Sequence, residues 1–270
     1  MILSLFISTC HAQECNANDR NALLEFKAGF ITSDFFFETW KSGSNCCQWN
    51  GVNCTSSGRV QGLRITNPLA PHGPSPVGER NTSYTGVVGA TLGDLTELRT
   101  LDLSMILFNG PMPDTFNKLK RLEELSVAFN NFSGSLSPSI GGVTSLKSLT
   151  ADGSDYRLLN PGLLLAPIPP SFCGLRNLEV LRLSSFLLTG KLPECFCKFT
   201  QITDLLLAEN RLEGVVQSCI SSSLGKLVSL DLSSTGFVGP FPTTLSCLTS
   251  LKTLSLYYYY YCNSLGVFHP

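Results

Sequence analysis

Residues 178–192 read LEVLRLSSFLLTGKL, and at 202–216 the chain reads ITDLLLAENRLEGVV. Each copy carries a Leu-x-Leu pair followed by a second phrase built on Gly and an apolar residue. Alignment on the pair gives Leu101/Leu103, Leu125/Val127, Leu149/Ala151, Leu181/Leu183, Leu205/Leu207, Leu230/Leu232 and Leu254/Leu256, with a degenerate earlier unit at Leu63/Ile65. From Leu101 onward the steps are 24, 24, 32, 24, 25 and 24 residues. The second phrase recurs as FNGPMP (108–113), FSGSLS (132–137), LLTGKLP (187–193), LEGVV (212–216) and FVGPFP (237–242), with TGVVG (85–89) in the earlier unit. Insertions near 67–84 and 156–167 interrupt two units.

The repetition has a physical reading. Leu-x-Leu alternation makes a short strand with one apolar face. Gly then permits a tight turn, and Pro with polar neighbours directs the chain back. A single such coil cannot bury its leucines, so coils must stack, each covering the apolar edge of the next. The strands then form a continuous parallel sheet along one side.

The phrase resembles the leucine-rich repeat, and its second half resembles the plant-specific subclass of that repeat. The resemblance implies an α/β solenoid, a right-handed curved superhelix with a parallel concave sheet and a disulfide-bonded N-terminal cap. The repeat pattern places Asn five residues after the first Leu, where its amide satisfies backbone groups between coils. Only Asn130 and Asn210 match, while Ile106, Ser154, Phe186, Thr235 and Tyr259 stand at the other positions. Irregular turns are expected at Ile106 and Phe186, because buried backbone polar groups there lack the amide.

An open solenoid needs a lid over its first edge. CNANDRNALLEFKAGF (15–30) reads as a helix with Asp19 near its start and Ala22, Leu23, Phe26 and Phe30 on one face. Trp40 and CCQWNGVNC (46–54) follow. The segment resembles the N-terminal cap of plant leucine-rich-repeat receptors and polygalacturonase-inhibiting proteins, and the resemblance implies the pairs Cys15–Cys46 and Cys47–Cys54. The spacing alone leaves three connectivities open.

The chain divides into a secretory signal over 1–13, the cap over 14–58, repeats over 59–256, and an incomplete repeat or tail over 257–270 without a C-terminal cap. The apolar run Ile2–Ile7 followed by small and polar residues suggests the signal, although no Lys or Arg precedes it; a buried strand is the other reading. Eleven cysteines and the sequons at Asn53, Asn81 and Asn131 agree with export. No later apolar run is long enough to span a membrane. A net charge of -1 gives no electrostatic footprint for nucleic acid.

Cys173, Cys195, Cys197 and Cys219 lack a nearby His or a second close pair, so no metal site is expected. Cys173/Cys197 and Cys195/Cys219 are each 24 residues apart and would meet on adjacent coils. Buried free thiols are nevertheless expected in preference to disulfides there, and the states of Cys247 and Cys262 stay open. His11 lies in the proposed signal, His72 in the 67–84 insertion and His269 at the end, so no His stands in a regular repeat to serve nucleophilic or acid–base catalysis, and no cofactor is implied.

What remains is the outward face of the sheet. One column of outward positions runs Asp102, Ser126, Thr150, Arg182, Leu206, Asp231, Ser255, and neighbouring columns hold Phe129, Asp152 and Glu209. Mixed charge with exposed apolar and aromatic groups suits a peptide or protein partner. The expected ligand contacts are Asp102, Phe129, Asp152, Arg182, Leu206, Glu209 and Asp231. The resemblance implies an extracellular, non-enzymatic recognition protein of receptor type, with a peptide, protein or cell-wall ligand and a co-receptor kinase as partners. The alternative is a secreted inhibitor of microbial polygalacturonase. Location is then the apoplast or cell wall, or the plasma membrane for a receptor fragment.

Overall fold

The computed structural model describes residues 14–30, 36–65, 86–106, 108–153, 165–220, 224–239 and 247–257. The proposed signal, the 67–84 insertion, Asn81 and most of the 156–167 insertion lie outside these residues, as do Ser154, Tyr259, Cys262 and the three histidines.

The N-terminal helix α1 spans Ala17–Ala28. Asn16 caps it, its side-chain oxygen accepting from the backbone N–H groups of Asn18 and Asp19. Ala22, Leu23 and Phe26 are buried on the inner face. Phe30 falls beyond the helix end, where it bridges to Gly86 and packs edge-on against Phe26, Phe37 and Phe108. Trp40 stacks on Trp49 with ring centroids 5.1 Å apart, and its indole N–H donates to the Asn50 carbonyl. Disulfides join Cys15 to Cys46 and Cys47 to Cys54.

Asp19 fixes the lid to the stack. It is fully buried, accepts two bonds from the Arg59 guanidinium at 2.9 and 3.0 Å, and a third from the Val60 N–H at 2.8 Å. The bond from its guanidinium to this carboxylate raises the Arg59 pKa further above its ordinary value. Arg59 also donates to Thr96. A residue on the lid thus organises the entry to the first strand of the stack.

Strand β1 (Val52–Cys54) pairs antiparallel with β2 (Val60–Arg64). Parallel to β2 follow β4 (Thr100–Asp102), β6 (Glu124–Ser126), β8 (Ser148–Thr150), β10 (Val180–Arg182), β12 (Asp204–Leu206), β14 (Ser229–Asp231) and β16 (Thr253–Ser255). Leu63, Leu101, Leu125, Leu149, Leu181, Leu205, Leu230 and Leu254 stand in register as one ladder. The second phrase of each repeat also forms strands. β3 (Gly86–Val87), β5 (Phe108–Pro111) and β7 (Asn131–Ser133) make one lateral sheet. β9 (Ala166–Pro167), β11 (Leu188–Gly190), β13 (Arg211–Gly214) and β15 (Gly236–Phe237) make another. Ala166 and Pro167, assigned from sequence to the second insertion, therefore belong to the repeat.

Short 3-10 turns close the convex side at Ala90–Asp94, Phe116–Lys118, Pro138–Gly142, Pro170–Gly174 and Glu194–Lys198. Across the 32-residue step this side stays tight: a Cβ on Gly141 would lie 2.3 Å from the Ser171 backbone. The leucine ladders from Leu63 to Leu232, with Phe108, Phe116, Phe172, Phe196, Phe199 and Phe237, form one contiguous core, whereas Leu254 on the last strand is exposed.

Two expectations need correction. The turn N–H groups at Ile106 and Phe186 are not stranded, because the Asn of the following coil reaches back to them. Asn130 Oδ1 accepts from Ile106 and Phe108, while its Nδ2 donates to the carbonyls of Leu103, Val127 and Ala128. Asn210 does the same for Phe186 and Leu188, donating to Leu183, Leu207 and Ala208. Met105, Phe129, Ser185, Glu209 and Ser234 all take the left-handed conformation just before the Asn position, whichever residue occupies that position. Leu187 adds a second left-handed residue after Phe186, so irregularity there is confined to one backbone site.

The second correction concerns the convex cysteines. They are not free, and their pairs are Cys173–Cys195 and Cys197–Cys219, each separated by 22 residues. Equivalent positions on stacked coils carry parallel side chains. An offset of two residues lets the two sulfurs face each other, at Cα separations of 5.4 and 5.3 Å. Cys247 is a free, exposed thiol.

Candidate functional site

Because Leu-x-Leu turns its leucines inward, the residues between them must face solvent. Asp102, Arg182, Leu206 and Asp231 are those outward residues on β4, β10, β12 and β14. Arg182, Leu206 and Asp231 are direct register neighbours on three successive strands. Asp102 stands apart from them, with Ser126 and Thr150 intervening. Phe129 and Glu209 occupy the left-handed position after their strands, and this conformation swings the side chain out of the core. Phe129 is 42% exposed, a large fraction for an aromatic ring.

The polar members are held in place. Asp152 accepts from the Ser184 N–H at 2.8 Å. Burial raises its pKa above the ordinary carboxylate value, opposed by that bond and by the nearby Arg182 charge. Asp231 accepts from both the N–H and the hydroxyl of Ser233. Glu209 accepts from the Ser185 hydroxyl at 3.0 Å. Each acidic group thus has its orientation set by the coil beside it or by its own turn.

The N-terminal end of the face is different. Asp102 pairs with Arg64 at 3.3 Å, and Glu123 is bracketed by Arg99 and Lys147 from the coils on either side. Those two hydrogen bonds, Lys147 first and Arg99 second, lower the Glu123 pKa. Beside them runs a groove of about 360 Å³ lined by Gly51, Asn53, Gly62, Arg64, Thr100, Asp102 and Glu124 among others. Charges here are neutralised between coils. Among the described residues, Arg182 makes no ion pair, and it faces acidic and apolar neighbours.

Arg64 was missed in the sequence reading although it is the outward residue of the Leu63/Ile65 unit. The outward position before each first Leu was also missed: Thr100, Glu124, Ser148, Val180, Asp204, Ser229 and Thr253. The alternation that exposes Asp102 exposes Thr100 on the same argument. Of the sequons, Asn53 is exposed at the rim of the groove, whereas Asn131 is half-buried on β7 and its amide donates to Asn109. The sulfurs of Cys15, Cys46 and Cys47 cluster closely, but all three are in disulfides and offer no thiolate to a metal.

Residues 16–55 match the leucine rich repeat N-terminal domain family, and residues 121–143 and 177–199 match the leucine rich repeat family. Receptor-like protein 6 of Arabidopsis thaliana is 27% identical over 288 aligned positions, covering 90% of this chain and 28% of that protein. The plant peptide hormone receptor RGFR1, solved in complex with RGF2, is 27% identical with a TM-score of 0.59, covering 64% of this chain and 26% of that one. The ectodomain of the Arabidopsis thaliana receptor kinase GASSHO1/SCHENGEN3 superposes with a TM-score of 0.70 over 88% of this chain and 29% of its own, at 24% identity. This chain spans 9%, 28% and 35% of the length of three curated relatives it matches.

Proposed function

We propose, from the premise that this chain is a leucine-rich-repeat solenoid with the N-terminal domain of that class and is similar to plant receptor-like proteins and receptor kinases, that it is an extracellular recognition module. Its concave face takes a peptide or protein ligand, and a co-receptor kinase is the partner that completes signalling. One observation carries this reading. Arg182, Leu206 and Asp231 form a contiguous outward row on three register-matched strands. Their variety has no role in the core, where each coil repeats the same inward-facing apolar positions. A positive, an apolar and a negative group side by side discriminate between ligands better than any one of them alone.

The role is binding rather than catalysis: the carboxylates on this face are tied to backbone or serine donors, which orients them as fixed acceptors. The test is affinity capture from an extracellular plant fluid with the secreted chain, in parallel with Arg182→Glu and Leu206→Asp. Ligand retained by the wild type and lost by both variants, with unchanged melting temperature, supports the reading. Equal capture by all three overturns it. Inhibition of a microbial polygalacturonase that survives both substitutions would favour the inhibitor reading instead.

A further inference from the structure

Two disulfides close the lid, and three of their four sulfurs crowd together. The sulfurs of Cys15, Cys46 and Cys47 all lie within 4.8 Å of one another, although Cys15 is bonded to Cys46 and Cys47 to Cys54. One side chain holds this arrangement. Asn45 Oδ1 accepts from the Cys15 N–H at 3.0 Å and from the Cys47 N–H at 3.1 Å, so two cysteines that are not bonded to each other have their backbones pinned to a single atom. Cys46 is fully buried, whereas Cys47 and Cys54 are half-buried and partly open to solvent. Among the described residues no other three sulfurs gather in this way, those of the convex pairs Cys173–Cys195 and Cys197–Cys219 included.

We propose that this cluster is a thiol–disulfide exchange site, at which a small thiol of the glutathione class moves the partner of Cys15 from Cys46 to Cys47. The external thiolate attacks Cys54 Sγ and bonds to it, the Cys47–Cys54 bond breaks, and Cys47 leaves with the electron pair as a thiolate. Cys47 then attacks the neighbouring Cys15 Sγ. The Cys15–Cys47 bond forms, the Cys15–Cys46 bond breaks, and Cys46 leaves as a thiolate that takes a proton from water. Attack on Cys46 instead is disfavoured, since consecutive Cα atoms lie about 3.8 Å apart, short of the roughly 4.4–6.8 Å that a disulfide spans. Two disulfides and one thiol enter the sequence and two disulfides and one thiol leave it, so no oxidant is consumed. The outcome is selective. The start of the chain stays fastened to the 46–47 turn, while β1 loses its covalent tie and keeps only its pairing with β2. Asn53 on β1 and Gly51 just before it line the concave groove, so the thiol state of the lid reaches the rim of that groove. The inference concerns the lid and does not rest on any ligand of the concave face.

The experiment is disulfide mapping by mass spectrometry of the full chain after incubation with reduced glutathione, quenched with a maleimide and acid and digested in acid so that no exchange follows the quench. A Cys15–Cys47 peptide pair is expected to appear, with Cys46 alkylated and Cys54 carrying glutathione, while Cys173–Cys195 and Cys197–Cys219 keep their partners. Cys54→Ser leaves Cys47 a thiol from the start and is expected to hold both Cys15–Cys46 and Cys15–Cys47 with no glutathione added. Where that variant fails to fold, the wild-type mapping decides alone. Native pairing unchanged by glutathione, or loss of Cys47–Cys54 with Cys15–Cys46 intact, overturns the exchange. New pairs between lid and convex cysteines mean general scrambling and overturn the site as well.

Discussion

Asn130 and Asn210 each complete five hydrogen bonds spanning two coils. Each stands in the coil after one whose own Asn position is apolar. Asn130→Ala would leave the Ile106 and Phe108 N–H groups and three carbonyls without their amide partner in a buried turn. It should cost about 3 kcal/mol in urea unfolding. Asn130→Asp, which keeps an acceptor but offers no amide donor, should be comparably damaging. Asp152 gives the opposite sign. Its folded pKa is raised, so its contribution to stability is fully present below the unfolded carboxylate value and is lost as pH rises through the folded value. Asp152→Asn keeps an oxygen for the Ser184 N–H and removes that loss. Its melting temperature should exceed the wild type's at neutral pH, and the gap should close as pH falls below the unfolded value. The leucines and the two Asn positions were legible in the sequence because each follows a fixed offset. The reach of Asn130 to Ile106 was not, because the amide serves the coil before its own.

At the scale of elements, the lid helix could be read from the spacing of Ala22, Leu23 and Phe26, and the concave strands from Leu-x-Leu. The lateral strands could not: runs of two to four residues are too short to show alternation, and their Gly and Pro signal turns. The convex disulfides were misread for a related reason. Counting by the repeat length pairs equivalent positions, whereas bonding selects side chains that face each other. These bridges link the coils bearing Cys173, Cys195/Cys197 and Cys219 directly after the insertion. Replacing Cys173 and Cys195 by Ser opens a covalent loop of 22-residue separation and should cost about 3 kcal/mol. Thermal melts of the double variant with and without a thiol reductant test this. Reduction should lower the wild type further than the variant, since the variant has already lost one staple.

For the whole molecule, the position of the candidate face followed from periodicity alone, but its grouping did not. Sequence gave a column; the structure separates a self-neutralised N-terminal end around Glu123 from the Arg182–Leu206–Asp231 row. Arg99→Ala, at the neutralised end, should change ligand affinity less than about 2-fold, whereas Arg182→Ala should weaken it by 10-fold or more, the loss expected of a central charged contact. Titration of both variants against the captured ligand distinguishes them. The two lateral sheets carry a mechanical consequence. Along the concave side the strands run unbroken from β1 to β16, whereas among the described residues the two lateral sheets do not join: β7 pairs with β5 and β9 with β11, not with each other. At that interruption, between the coil that presents Phe129 and the coil that presents Arg182, the stack is held by the concave ladder and by the close approach of Gly141 to Ser171 on the convex side.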